Sequence, residues 1–140
     1  MRRLPNNALQ KALVKLLSDK LPDVKVYDFV PEAAQIPYVT LGACVTNDIS
    51  TKTDNLYKVD VQINIWSEYR GKYEINNIAE RIARLLTSAD GYIDASADNF
   101  AVYCQRVNQY EAFPENGEGY SGVLSLDIYV RNMEATADDI

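Results

Sequence analysis

The chain has 140 residues, a net charge of −6 and no histidine. Without histidine it can hold neither a Ser-His-Asp nor a Cys-His catalytic arrangement, and zinc sites with histidine ligands are excluded as well. An acidic domain is poorly suited to gripping phosphate backbones, which requires clustered lysine and arginine.

Hydrophobic residues make up 47% of the chain, which predicts a packed core of ordinary domain size. We expect a single domain over residues 1–131 and a flexible acidic tail over residues 132–140. No apolar run is long enough for a membrane span, so we expect no membrane partner. No signal-peptide pattern follows the first residues, and we therefore expect the chain to be made in a cytoplasm. Cys44 and Cys104 lie in apolar runs and are expected to be buried, without a disulfide.

The first predicted element is an amphipathic helix over residues 6–20. Its apolar positions recur every three to four residues, the spacing of one buried helix face. Asn6 or Asn7 is expected to cap its start, and Pro22 to end it.

Two predicted strands follow, over residues 24–30 and 37–46, joined by a short turn between Pro31 and Pro37. In the second strand, the alternation predicts one face for Val39, Leu41, Ala43 and Val45 and the other for Tyr38, Thr40 and Cys44. Gly42 predicts a bulge or a close approach by another backbone.

A polar segment over residues 47–55 is longer than a tight turn and is read as a mobile tip or a contact loop. The third strand, residues 56–67, alternates most regularly. Val59, Val61, Ile63 and Ile65 predict its core face. Trp66 falls on the polar side, which predicts that a helix end or a partner covers it.

A second amphipathic helix is predicted over residues 72–88, with Gly91 as its stop signal. Two further strands, residues 100–110 and 122–131, are joined by a polar connection over 111–121. The order α-β-β-β-α-β-β with hairpin-length links predicts an α+β fold: a mainly antiparallel sheet of about five strands with two helices on one face.

Motifs for catalysis and cofactor binding are absent from the sequence. It contains no GxxxxGK[ST], no GxGxxG and no GxSxG. Asp60 and Asp127 lie on polar strand faces and could meet across the sheet, a weak signal by itself. We therefore predict no enzyme activity, no cofactor and no metal site.

Ten tyrosines favour a protein interface, since tyrosine offers both apolar area and a hydroxyl group. Aromatic residues beside basic ones could also stack nucleic-acid bases, but the lysines and arginines are scattered. Trp66, Tyr69 and Arg70 lie together in the sequence and are candidate interface residues.

An ordered set of short motifs spans most of the chain. These are Val26-Tyr27-Asp28, Val30-Pro31, Pro37-Tyr38-Val39, Leu41-Gly42, Trp66-Ser67 with Gly71, and the strand from Gly122 to Arg131. Over roughly residues 7–131 the set resembles the tail completion proteins of long-tailed bacteriophages, also called tail-to-head joining or tail terminator proteins. Tyr120 is a departure, since the family often has a basic residue two positions before the late glycine.

The resemblance implies a structural virion protein, made in the bacterial host, at the junction of tail and head. Its expected partners are copies of itself in a ring, commonly a hexamer, the tail tube protein and a head connector protein. DNA would pass through such a ring without sequence-specific binding, which suits an acidic chain. A ring needs two different patches on each subunit. The candidate contact residues in the two polar segments are Asp48, Thr51, Lys52, Thr53, Asp54, Glu115, Glu118 and Tyr120.

Two alternatives stay open at this point. The chain could be another neck or head-closure ring component. It could also be a non-enzymatic α+β domain that binds nucleic acid or a small ligand, which a steep salt dependence of DNA binding or a deep apolar pocket would favour.

Overall fold

Two α-helices and five strands follow one another in the predicted order. The structure is a computed structural model that describes residues 3–115 and 119–134. The elements are α1 (Asn6–Lys20), β1 (Lys25–Tyr27), β2 (Tyr38–Asp48), β3 (Leu56–Ser67), α2 (Tyr73–Thr87), β4 (Phe100–Pro114) and β5 (Tyr120–Asn132). Two short 3-10 helices, Ala89–Gly91 and Ser96–Asp98, lie between α2 and β4.

The five strands form one sheet in the order β1-β2-β3-β5-β4. Three of the four neighbouring pairs are antiparallel, which confirms the predicted α+β class. β1 instead pairs in parallel with β2, through Lys25 opposite Tyr38 and Tyr27 opposite Thr40. The link between Pro31 and Pro37 is therefore not a hairpin turn, because a parallel connection must carry the chain back along the sheet.

Both helices pack on the same face of the sheet and share one core with it. α1 contributes Leu9, Leu13 and Leu17, all almost completely buried. α2 adds the buried apolar stripe of an amphipathic helix, as predicted from the sequence. The alternate residues of β3 also face this core. The core members from α2 and β3 are Ile75, Ile78, Ala79, Ile82, Leu86, Tyr57, Val59, Val61, Ile63 and Ile65. No helix in residues 3–115 and 119–134 has the length and apolarity of a membrane span.

A bulge in β2 changes which residues face the core. The register with β3 shifts between Leu41 and Cys44, at the predicted Gly42. Before the shift, Val39 is buried as expected, but Val45 is 54% exposed. The prediction of one continuous apolar face was therefore wrong beyond Leu41, because one added residue exchanges the two faces of a strand.

Neither cysteine is buried, contrary to the prediction. Cys44 and Cys104 are both free and both exposed. Each lies beside a bulge, since the β4–β5 register also shifts between Val102 and Cys104. The apolar runs suggested burial, but Cys104 lies opposite Tyr129 on the face away from the core, and Cys44, although opposite the core residue Val61, is left exposed.

Asparagine does not cap α1. Pro5 is the N-cap residue and makes no side-chain cap bond. Proline suits the start of a helix, where its missing N–H leaves no bond unmade. The side chain of Asn6 instead reaches β2, where Thr46 Oγ1 donates to its Oδ1 at 2.7 Å.

The end of α2 precedes the predicted stop. α2 ends at Thr87, and Gly91 is buried one turn later in the first 3-10 helix. On the exposed side of α2, Arg84 and Glu80 form an i,i+4 ion pair at 2.9 Å.

The last hairpin is tighter than predicted and β1 is shorter. β4 continues to Pro114 and β5 starts at Tyr120, so most of the predicted 111–121 connection is strand. In contrast, β1 contains only three of the seven residues expected in 24–30. Asn132 ends β5, and Met133 N donates to Asn99 O, so the first residues of the predicted tail contact the domain. The tail residues 135–140 lie outside the described residues.

Candidate interaction surface

The sheet face opposite the helices is here called the open face. On β3 it carries Lys58, Asp60, Gln62, Asn64 and Trp66, which alternate with the core residues. The register places residues of β2 and β5 beside them, such as Val45 opposite Asp60 and Val123 opposite Asn64. It is a broad, mixed polar and aromatic surface on a rigid sheet.

An aromatic cluster lies at one end of the open face. The rings of Tyr27 and Tyr38 meet edge-on with their centroids 5.7 Å apart, and the Tyr38 ring lies 6.4 Å from that of Trp66. Trp66 Nε1 donates to Thr40 Oγ1 at 3.4 Å. The half-buried Trp66 is therefore covered by side chains of β2, and the predicted helix end does not reach it. Its remaining exposed surface faces outward with that of the tyrosines.

A charged row crosses the middle of the open face. Asp60 of β3 is opposite Asp127 of β5, which in turn is opposite Arg106 of β4. The two aspartates therefore do meet across the sheet. Lys58 Nζ lies 3.4 Å from Asp60 and 4.0 Å from Asp127, and Arg106 lies 3.7 Å from Asp127. Two cations thus lie within 4.0 Å of the two carboxyl groups.

Hydrogen bonding within the row shifts the pKa values of the two carboxyl groups in opposite directions. A hydrogen bond to Asp127, which Asp60 can donate only when it is protonated, raises the pKa of Asp60, and burial acts in the same direction. Accepting that bond lowers the pKa of Asp127, with Asn108, Lys58 and Arg106 adding to the effect. Asp127 is buried, so its charge is held by partners rather than by water. The charged groups of the row are therefore paired with one another.

The predicted contact residues divide between the two ends of β3. Asp48, Thr51, Lys52, Thr53 and Asp54 lie at its start, in and beside the β2–β3 hairpin. At its other end lie Trp66, Tyr69 and Arg70, with Tyr120 opposite Ser67 and Glu115 across the last hairpin. Glu118 lies outside the described residues. A strand of this length separates the two groups by about 35 Å.

The β2–β3 loop is held by its own hydrogen bonds. Asp48 Oδ1 accepts from Ser50 N at 2.9 Å, and hydrogen bonding from Ser50, by its hydroxyl group first and its N–H second, lowers the pKa of Asp48. Thr51 Oγ1 accepts from Asp54 N at 3.0 Å, while Arg131 on β5 pairs with Asp54 at 3.3 Å. Lys52 and Thr53 are exposed at its tip. These bonds favour the contact loop over the mobile tip.

The group at the other end is less enclosed. Tyr69 is 51% exposed, and its ring lies 6.4 Å from that of Tyr73 at the start of α2. Arg70 and Glu115 are exposed, whereas Tyr120 is half-buried and packs against the core. Tyr120 therefore has a structural role in addition to any contact.

Sequence reasoning missed Phe29, the most exposed large apolar residue of the described chain at 86%. It was assigned to the first strand, but β1 ends at Tyr27. The signal that could have found it is Pro31, because two nearby prolines make a long regular strand improbable.

Ligand sites are weakly supported by the geometry. One groove lies between α1 and residues 92–98, with a volume of about 520 Å³. Four of its charged residues pair with each other, Lys11 with Asp98 at 3.0 Å and Lys15 with Asp19 at 3.5 Å. In the part of the chain that the structure describes, no three histidine, cysteine or acidic side chains are grouped to hold a metal ion.

The model of the family described as tail completion protein gp17 matches residues 7–131. Among solved structures, a chain of the "Virion of native gene transfer agent (GTA) particle" has a similar fold, with a TM-score of 0.75 and 21% sequence identity. The match covers 90% of this chain and 96% of that one. Comparison with curated proteins gives no match.

Proposed function

We propose that this chain, which belongs to the tail completion protein gp17 family, closes the head-proximal end of a phage tail tube and joins the tail to the head. Membership identifies it as a structural tail protein of the bacteriophage type. The observation that carries the proposal is the family match over residues 7–131, which includes all five strands up to Arg131. In this role it acts as a ring of identical subunits, a hexamer in our proposal, made in the host cytoplasm and carried in the virion.

The fold match supports the virion part of the proposal. The similar chain comes from a gene transfer agent particle, and nearly the whole of each chain takes part in the match. A virion subunit performs its role through contacts with neighbouring subunits, and this role requires no catalytic site.

The candidate contact residues form two groups at opposite ends of the sheet, which supports a subunit that binds two different partners. One group surrounds Lys52 and the other surrounds Tyr69, at opposite ends of β3. A ring at the end of a tube meets the tube on one side and the head connector on the other. The net charge of −6 suits a channel that lets DNA slide, since acidic surfaces do not hold phosphates.

Assembly with tube protein tests the proposal. Native mass spectrometry gives the number of subunits, and electron microscopy of tubes grown with and without the chain shows whether their ends are closed and their growth stops. We expect a ring on the tube end. A chain that stays monomeric and leaves tube growth unchanged would contradict the proposal.

Two surface variants test the two proposed partner surfaces separately. Lys52→Glu alters one end of β3, and Tyr69→Ser alters the other. We expect one of them to lose tube binding and the other to lose binding of the connector protein. Lys20→Glu at the end of α1 is the matched control, with the same charge change on an exposed site away from both groups.

The same preparations decide between the remaining alternatives. Binding to a connector protein but never to the tube would indicate another neck ring component. DNA retention that falls steeply with salt would indicate a nucleic-acid-binding domain instead.

A further inference from the structure

β4 is an edge strand with an unusually long free side. Its 15 residues pair with β5 on one side only. The first part of the other side is closed by the segment after α2: Tyr92 Oη donates to Val102 O at 2.9 Å, and the Gln105 side chain bonds Leu86, Gly91 and Ile93. Beyond Gln105, no described residue bonds the outward backbone groups of β4 up to Pro114.

We propose that this free edge pairs with the same edge of a second copy of the chain, antiparallel about a two-fold axis between Asn108 and Gln109. Arg106 then lies opposite Glu111 of the second copy, Val107 opposite Tyr110, and Asn108 opposite Gln109. Exposed edges are templates for strand addition, because their N–H and C=O groups are unpaired.

The bulge in β4 selects this register. The β4–β5 pairing shifts between Val107 and Gln109, so Asn108 is an extra residue and the two faces exchange there. If the bulges of the two paired β4 strands lay at different positions along the strands, opposing residues between the bulges would face opposite sides of the combined sheet. Only when the bulges meet on the axis does every opposing pair share a face.

The side chains are complementary in this register. Arg106 and Glu111 both lie on the open face, opposite Asp127 and Val123 of β5, and the two-fold axis creates two Arg106–Glu111 pairs. On the helix side, the half-buried Val107 meets Tyr110, which is 36% exposed in the single chain. Opposite charges and aromatic–aliphatic contacts are both favourable cross-strand pairs.

This contact does not rest on the ring proposed above. Successive subunits of a cyclic ring are related head to tail, whereas the β4 pairing is two-fold and self-complementary. It describes the unassembled protein, in which pairing covers an edge that would otherwise be open to aggregation.

Charge exchange tests the register in the full chain by sedimentation equilibrium. Each single variant, Arg106→Glu or Glu111→Arg, places two like-charged pairs in the dimer and is expected to raise its Kd by about tenfold or more. The double variant restores the opposite pairs, so we expect its Kd to return close to that of the original chain. The two single variants change the net charge in opposite directions, so general repulsion cannot explain weakening by both.

Lys20→Glu is the matched control and should leave the dimer unchanged, because it carries the same charge change as Arg106→Glu on an exposed site of α1. A monomer at all concentrations would show that the bulge only prevents pairing and would overturn the proposal. An oligomer that the single variants do not weaken, or that the double variant does not restore, would overturn it as well.

Hydrogen exchange gives a second readout that needs no variant. Outward amides between Arg106 and Ala112 should exchange more slowly as the concentration of the chain rises, with β3 as the internal reference. Protection that does not depend on concentration would contradict the pairing.

Discussion

Asp60 and Asp127 lie directly opposite each other on β3 and β5, and their side chains shift each other's pKa in opposite directions, upward for Asp60 and downward for Asp127. They lie on the open face of the sheet, yet Asp127 is only 3% exposed. The two residues are 67 positions apart in the sequence, so their contact depends on β5 entering the sheet beside β3.

The two aspartates are expected to differ in their effect on stability. Asp127→Asn removes the carboxylate that Lys58 and Arg106 approach, and should lower the free energy of unfolding at neutral pH by about 1–3 kcal/mol. Asp60→Asn keeps a donor toward Asp127 and should cost less. Urea unfolding followed by circular dichroism measures both, and an equal loss would contradict the distinct roles.

The pH dependence of these two variants should have opposite signs. The lowered pKa of Asp127 contributes stability at neutral pH that is lost as the pH falls through its folded pKa, below the ordinary 3.8. The raised pKa of Asp60 contributes stability at low pH that is lost as the pH rises through its folded pKa, above 3.8. The penalty of Asp127→Asn should therefore shrink toward acid pH, whereas Asp60→Asn should become relatively more favourable as the pH rises. Unfolding curves at several acidic pH values test both slopes.

Gly91 should tolerate no side chain. A Cβ atom there would collide with the backbone carbonyl of Leu85, which belongs to α2 and cannot move aside. Gly91→Ala is expected to lower stability by about 1–3 kcal/mol, the usual cost of overpacking. Gly42→Ala is the control, since its Cβ would meet the side-chain amide of Asn64, which can rotate. Thermal unfolding should therefore show a larger decrease in Tm for Gly91→Ala.

The two cysteines should be distinguishable by their reactivity. Both are exposed, so a thiol reagent should modify both in the native chain. Burial of part of its side chain raises the pKa of Cys44, which reduces its thiolate fraction at neutral pH. With Cys104→Ser, the remaining Cys44 should react slowly until the pH exceeds the range of an ordinary thiol. With Cys44→Ser, the rate at Cys104 provides the comparison. Complete protection of either thiol in the folded chain would show that it is buried after all.

The candidate surface was only partly predictable. Trp66 stood out because an aromatic residue interrupted a polar alternation, but the cover provided by Tyr38 could not be inferred without the β2–β3 register. Phe29 was missed because local β-propensity extended the first strand past its end at Tyr27. Propensity is local, whereas the length of an edge strand depends on its neighbour.

The sequence by itself determined both helices, the core face of β3 and the order of the elements. These follow from the spacing of apolar residues, such as Leu9, Leu13 and Leu17, which is a property of consecutive residues. The family was also recognisable from motifs in order along the chain. Only the tertiary structure decided the parallel β1–β2 pair, the bulges beside Cys44 and Cys104, and the free edge of β4. Each depends on which strands become neighbours and in which register, and that choice is made by contacts between residues far apart in the chain.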